Sequence, residues 1–291
     1  MTKTYSRKDT RFRPNSVKQF VSFRQGRINR RLEWRKQLRI RTNLEKRLFG
    51  QLNREFRRFL SATLYTYQQT SIYEKEIGAL NLREGVNAIL YSEYRRIFRT
   101  MFAMHEEQYE LSKKSTHNVS EDSEAFIFGR SAEVDALVDS YFNGRQIVLS
   151  GISTRLANRI DRVIRNGIID GLTPAQIAKK ISDDFLPISR TRAALIARTE
   201  THNAASTASN AYFLDAESYY GLTMKKVWTA TRDARTREAH LLADGQERDM
   251  NEPFRVGGAL MQYAGDSAGG AANVVNCRCV ILYADKEDDF Y

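Results

Sequence analysis

Residues 44–60, LEKRLFGQLNREFRRFL, place Leu44, Leu48, Leu52, Phe56 and Leu60 four residues apart, with arginine and glutamine between them. That spacing draws one apolar stripe along an amphipathic helix, which predicts helix from about residue 37 onward. Downstream, Leu82, Val86, Leu90, Ile97 and Met101 mark a second helix at about 78–112. The polar, aperiodic stretch Ser112–Glu124 predicts a loop or hinge, and helical signals resume over Ala125–Tyr141. Leu156, Ile160, Val163, Ile164 and Ile168 repeat at helical spacing until Gly171 closes the element. Thr173 and Pro174 open a short helix as cap and first residue, and Pro187 predicts another break. A long helix from Ser189 to about Glu217 then carries a small face of Ala197, Thr201, Ala204, Ala208 and Ala211, fit for close approach of another element.

Nothing before Gly221 reads as strand. Beyond it, Lys226–Ala230 (KVWTA) and Val280–Tyr283 (VILY) are short β runs. Between them lie a short helix and the loop Gly257–Gly270, which holds five of the 16 glycines and reads as a flexible surface segment. The fold class expected is α+β: a predominantly helical N-terminal body, then a small α+β C-terminal module. The divisions are a basic arm over 1–36, a helical domain over 37–187, the module over 188–285 and an acidic tail over 286–291, with Ala284–Tyr291 expected to be loose.

The chain has 291 residues, of which 42% are hydrophobic, enough for one to three domains with real cores. No run approaches the ~20 apolar residues of a bilayer span, so no membrane partner is expected. Residues 1–20 lack the apolar stretch of a secretory signal. Two cysteines make no disulfide framework, which favours a reducing interior or a particle assembled in one.

Charge is unevenly distributed. Residues 1–60 hold 19 basic and 4 acidic side chains, whereas the remainder holds 27 and 31. The arm carries Arg7, Lys8, Arg11, Arg13, Arg24, Arg27, Arg30, Arg31, Arg35 and Lys36, interleaved with Tyr5, Phe12, Phe20, Phe23 and Trp34. Such a segment suits a nucleic-acid backbone, through counterion release and stacking, or an acidic protein surface. A solvated basic face is the plainer alternative.

Three groups are chemically pointed. In Asp233–His240 (DARTREAH), capping by Asp233 would put Asp233, Arg237 and His240 on one helical face. A cap, an internal Asp–Arg pair and a hydrogen-bonded histidine account for the same residues. In Asn276-Cys277-Arg278-Cys279, two thiols precede the VILY strand. They can serve one structural zinc with His240 as third ligand and Asp233, His202, Glu200 or water as fourth, or be two small buried thiols. In Ala197–Ala205 (ARTETHNAA), Arg198 and His202, and Glu200 and Asn203, are helical neighbours suited to inter-element hydrogen bonds. His105 and His117 sit in polar contexts and suggest no site. No GxSxG, phosphate-binding loop or dinucleotide fingerprint is present, so no catalytic residues are assigned. The enzymatic alternative is a metal-dependent hydrolase or nuclease built on His240, Cys277 and Cys279, with Glu200 or Asp233 as base.

The ordered series ARTETHNAAS, KKVWTATRDARTREAH, LLADGQ, PF with a Gly-rich loop, and NCRC resembles the phage Mu F-like minor head protein family, also described as phage head morphogenesis proteins. The lead-in GLTPAQIAKKI is similar as well. The departure lies at Tyr263–Ser267, where the family usually places prolines and this chain has Ala264 and Ser267. The resemblance implies a structural, non-enzymatic minor capsid protein of a tailed phage. It would sit in the virion near the portal vertex, with the host cytoplasm as its place during assembly. Expected partners are portal protein, double-stranded DNA and major capsid or scaffold protein, with a part in DNA ejection. Signature positions carried over are Arg198, Glu200, Trp228, Asp233, Arg235, Arg237, His240, Gly245, Asn276, Cys277 and Cys279, read as a cluster that holds the fold.

Overall fold

A computed structural model describes residues 27–114, 131–220 and 223–291. Asn29 starts the first helix by accepting the Leu32 backbone N–H (3.0 Å), and Glu33 adds a negative charge to the first turn. Helix α1 (Arg30–Thr70) therefore begins ahead of residue 37, and residues 30–36 of the basic arm belong to it. With 41 residues it is about 60 Å long. The other long helices are α2 (Lys75–Lys114), α3 (Ser131–Ile169) and α4 (Pro174–Tyr220). Residues 115–130, which include His117 and most of the expected hinge, lie outside the described residues, as do residues 1–26.

Leu44, Leu48, Leu52, Phe56 and Leu60 of α1 form one core with the Leu82–Met101 stripe of α2, Leu156, Ile160 and Ile164 of α3, and the inner face of α4. The stripe of α3 ends sooner than its spacing predicts, because Val163 is only partly buried and Ile168 is exposed. Along α4, Ala197, Ala204 and Ala208 are fully buried, and the small face lets α1 lie closely against it.

Two expected breaks near the start of α4 resolve differently. Gly171 ends α3 in the left-handed conformation (φ 68°), as read from the sequence. Thr173 and Gln176 then form a reciprocal cap, the Thr173 N–H donating to Gln176 Oε1 (2.8 Å) and the Gln176 N–H to Thr173 Oγ1 (3.3 Å). The helix so opened is not short. It runs through Pro187 to Tyr220, because Ile177, Ile181 and Phe185 ahead of the proline share their core with Ile196 and Ala197 beyond it.

After α4 the chain builds a three-stranded antiparallel sheet in the order β3-β2-β6, from β2 (Met224–Thr229), β3 (Glu247–Asp249) and β6 (Val280–Asp285). Trp228 lies opposite Ile281, and Val227 opposite Leu282. Alternation sends Trp228 and Ile281 into a core with Phe254, Met261, Cys277 and Cys279, while Val227, Val280 and Leu282 face Trp34 of α1 and Phe290. The glycine-rich segment is structured. Gly257 and Gly258, both at positive φ, turn a hairpin of β4 (Phe254–Val256) and β5 (Ala259–Met261). A 3-10 turn (Ser267–Gly269) and helix α6 (Gly270–Val274) follow, and helix α5 (Glu238–Ala243) precedes β3.

The ends of the described chain also differ from expectation. Strand β1 (Arg27–Ile28) pairs in parallel with β7 (Asp289–Phe290), so a strand precedes Gly221 and the acidic tail is held rather than loose. No helix among the described residues is long and apolar enough to cross a membrane.

Candidate functional site

The sequence-predicted residues converge where α4 meets the C-terminal sheet. Arg198 reaches across to Glu45 of α1 (3.1 Å) and to the Asn276 side-chain oxygen (3.2 Å). From the next residue of α4, Thr199 Oγ1 accepts the Asn276 N–H (3.1 Å), and Asn276 itself takes positive φ (62°) to turn the chain into the two cysteines. Glu200 points the other way, into the helical body. There it accepts from Arg145 of α3 through both carboxylate oxygens and from the Tyr94 hydroxyl of α2 (2.7 Å). Burial alone would lower the Arg145 guanidinium, and Glu200 overcomes that, leaving it above its usual value.

Asp233 is not the cap of a helix that also holds Arg237 and His240. Helix α5 starts at Glu238, with Arg237 as its cap residue, and Asp233 instead closes a turn by accepting the Arg235 N–H (3.0 Å) and the Thr236 hydroxyl (3.1 Å). Its carboxylate takes a bidentate pair from Arg278 (2.6 and 2.7 Å), which holds it far below the ordinary carboxylate range. Arg237 turns away to donate to the Val275 carbonyl, and Arg235 is largely exposed. Polar residues four and seven apart therefore do not share a face here, since residues 233–237 are not helical.

His240 does meet the cysteines. Its Nδ1 lies 3.4 Å from Cys279 Sγ and 3.6 Å from Cys277 Sγ, and all three side chains are buried. The Trp228 indole packs edge-on against the imidazole, centroids 5.6 Å apart, and fixes the ring. Contacts from Cys279 and then His240 hold the Cys277 thiol well below the ordinary thiol range. Of the fourth ligands considered, Glu200 and Asp233 are engaged with arginines, and His202 lies beside Glu45 (3.8 Å). Burial, then Arg41, Arg198 and Arg278, depress His202 well below the usual histidine value.

Several residues that organise this junction were not singled out by sequence reasoning. Asp244, next to the Gly245 turn (φ 87°), accepts from Arg30 (2.9 Å), Arg232 and the Ala230 N–H (2.8 Å). Arg41 is fully buried, donates to Ser206 Oγ (2.9 Å) and is lowered to about 10 by burial. Lys226, also buried, donates to the Met250 carbonyl (2.8 Å) and to Gln262 (2.7 and 2.9 Å), and burial lowers it to about 8. An acid-glycine turn after a helix is a signal that would have drawn attention to Asp244, but Arg41 and Lys226 are indistinguishable in sequence from exposed basic residues. His105, read as unremarkable, is buried against Ser209 Oγ (2.9 Å).

The basic residues divide. Arg30 and Arg31 reach into the module, where Arg31 donates to the Ala230 carbonyl (3.4 Å). Arg35 and Lys36 are exposed on α1, with Lys36 paired to Glu33 (2.6 Å). Arg7, Lys8, Arg11, Arg13 and Arg24 lie outside the described residues, and of Arg27 only the backbone pairing is described.

This junction, from the second half of α3 through β6, coincides with a match to the family model described as Phage Mu protein F like protein, at residues 158–282. Residues 158–282 are similar to the Mu F-like family. The Mu F-like segment opens inside α3, ahead of residue 188, and so includes the whole helix that carries Arg198 and Glu200. The chain is 30% identical over 139 residues to "Minor head protein GP7" of Bacillus phage SPP1, covering 47% of this chain and 43% of that protein. It is 33% identical over 127 residues to "NAD(+)--arginine ADP-ribosyltransferase EFV" of Enterococcus faecalis, covering 44% of this chain and 26% of that one. The chain thus spans less than half the length of either relative. No solved structure gives a significant match.

Proposed function

We propose that this protein is a structural minor head protein of a tailed phage. It would sit in the virion at the portal vertex after assembly in the host cytoplasm, with the portal and packaged double-stranded DNA as partners of its basic N-terminal region. The observation that carries this reading is the Mu F-like match over residues 158–282. The use of the signature side chains supports it. Arg198, Glu200, Asp233, Arg237 and Asn276 bind other parts of the same chain, as a structural module requires. The charge excess of residues 1–60 supports a polyanionic or acidic partner.

Peptide mass spectrometry on particles purified from a phage encoding this chain tests the assignment. The protein is expected in the head at few copies, and heads complete and infective without it would overturn the reading. For the arm, deletion of residues 1–26, which precede β1, is expected to leave folding intact and to abolish binding to portal or duplex DNA. If DNA is the partner, the logarithm of affinity falls with the logarithm of salt by about 0.9 per phosphate neutralised.

The second reading is enzymatic, and the similarity to a protein named an ADP-ribosyltransferase is what favours it. The carboxylates a hydrolase or nuclease would use beside His240 are held by Arg145 and Arg278, which disfavours either as a base. Transfer of label from NAD to an arginine-containing acceptor by the purified chain would establish the enzymatic reading, and none is expected.

A further inference from the structure

We propose that His240 Nδ1, Cys277 Sγ and Cys279 Sγ bind one zinc ion, with water completing the tetrahedron, and that the ion fastens α5 to the start of β6. A tetrahedral zinc with bonds of about 2.3 Å to sulfur and about 2.0 Å to nitrogen sets nitrogen and sulfur about 3.5 Å apart. The separations from His240 Nδ1 are 3.4 and 3.6 Å, and all three ligand atoms lie within 4.8 Å of one another. Further features fit a cation at this point.

The Cys279 N–H donates to Cys277 Sγ (3.4 Å), so the Cys-x-Cys turn already presents a sulfur as acceptor. Among the described residues His240 Nε2 is buried without a hydrogen-bond partner, which leaves Nδ1, beside both sulfurs, as the ring's polar contact there. Two thiolates buried at this distance would repel strongly, and a divalent cation neutralises both. Two sulfurs and one imidazole select a borderline-soft ion over magnesium or calcium. No fourth His, Cys, Asp or Glu joins the three among the described residues. The nearby carboxylates are occupied by arginines, so the ion's role is to hold the fold: it closes a segment whose ends are 39 residues apart.

The test is elemental analysis of the full chain purified from zinc-supplemented culture without chelators, together with cobalt(II) titration of the chelator-treated protein. The expected result is about one zinc per chain and a thiolate-to-cobalt absorption band with intense tetrahedral ligand-field bands. Both are lost in Cys277→Ser and Cys279→Ser. If those variants do not fold, the wild-type chain alone decides. Folded wild-type protein that carries no zinc and gives no cobalt band, or that is isolated metal-free with the two cysteines oxidised to each other, overturns the proposal.

Discussion

Glu200 and His202 are two residues apart on α4, yet they face opposite electrostatic problems. Glu200 is 3% exposed and is the carboxylate partner of Arg145, itself largely buried, so Glu200→Gln leaves that guanidinium without its counter-charge. The expected loss is about 3 kcal/mol, read as a lower midpoint in urea unfolding with unchanged slope. His202 is equally buried but sits among Arg41, Arg198 and Arg278, and it stays neutral far below the usual histidine range. In the unfolded chain it takes up a proton near pH 6.5, while the folded chain does not. Protons therefore favour the unfolded state, and stability contributed by this site falls as pH drops below about 6.5 and is flat above it. The variant His202→Gln should show a shallower loss between about pH 6.5 and 5 than wild type. An unchanged slope would place the titration elsewhere. Asp233 acts in a lower window: with its folded value depressed by Arg278, its contribution is present above about pH 4 and is lost on further acidification. The existence of these polar positions was legible in ARTETHNAA and DARTREAH, but their partners were not. Arg145, Glu45 and Arg278 come from elements that only tertiary packing brings near, and Arg41 and Lys226 read as solvated charges until buried.

At the scale of elements, periodic stripes were legible and punctuation was misleading. The stripes on α1 and α2 lie in the core as spaced, because burial of a continuous apolar face dominates helix stability. Pro187, read as a break, is exposed on an unbroken α4, where the core on either side outweighs one missing hydrogen bond. Replacing Pro187 by Ala restores a donor in a helix interior and should raise thermal stability, by about 1–3 kcal/mol. A lower melting temperature would mean that the proline's rigidity is itself used. A second face of α4, at Asn203, is packed by the C-terminal module. Gly265, at φ 95°, brings the loop after β5 so close that an added Cβ would lie 2.3 Å from Asn203 Oδ1 and 3.1 Å from its Cα. That loop is braced by Asp266, which accepts from the Gln262 N–H (2.7 Å) and the Ala268 N–H (3.0 Å), so it is ordered with no proline in it. Gly265→Ala meets both positive φ and a clash, and should cost more than about 2 kcal/mol in chemical unfolding.

For the whole molecule, the first turns of α1 join its two halves. Trp34 covers Val227, Val280 and Leu282 together with Phe290, and Arg30 fills the Asp244 pocket at 2.9 Å. Parallel pairing of β1 with β7 extends the connection, with the Arg30 N–H donating to the Tyr291 carbonyl (3.0 Å). A basic arm ending at residue 36 would take these contacts with it, so residues 27–36 belong to the fold. Two truncations separate the roles. Removing residues 1–26 should leave the thermal midpoint near that of the full chain, whereas removing residues 1–36 uncovers the apolar face of the sheet, leaves Asp244 without Arg30 and should lower the midpoint by several degrees. Hydrogen exchange localises the effect: amides of β6 and β7 should lose protection in the longer deletion, while those in the middle of α2 and α3 keep theirs. Equal midpoints and equal protection in the two truncations would mean that the module holds its sheet without help from α1. Partner binding would then have to be mapped over residues 1–36 as one unit.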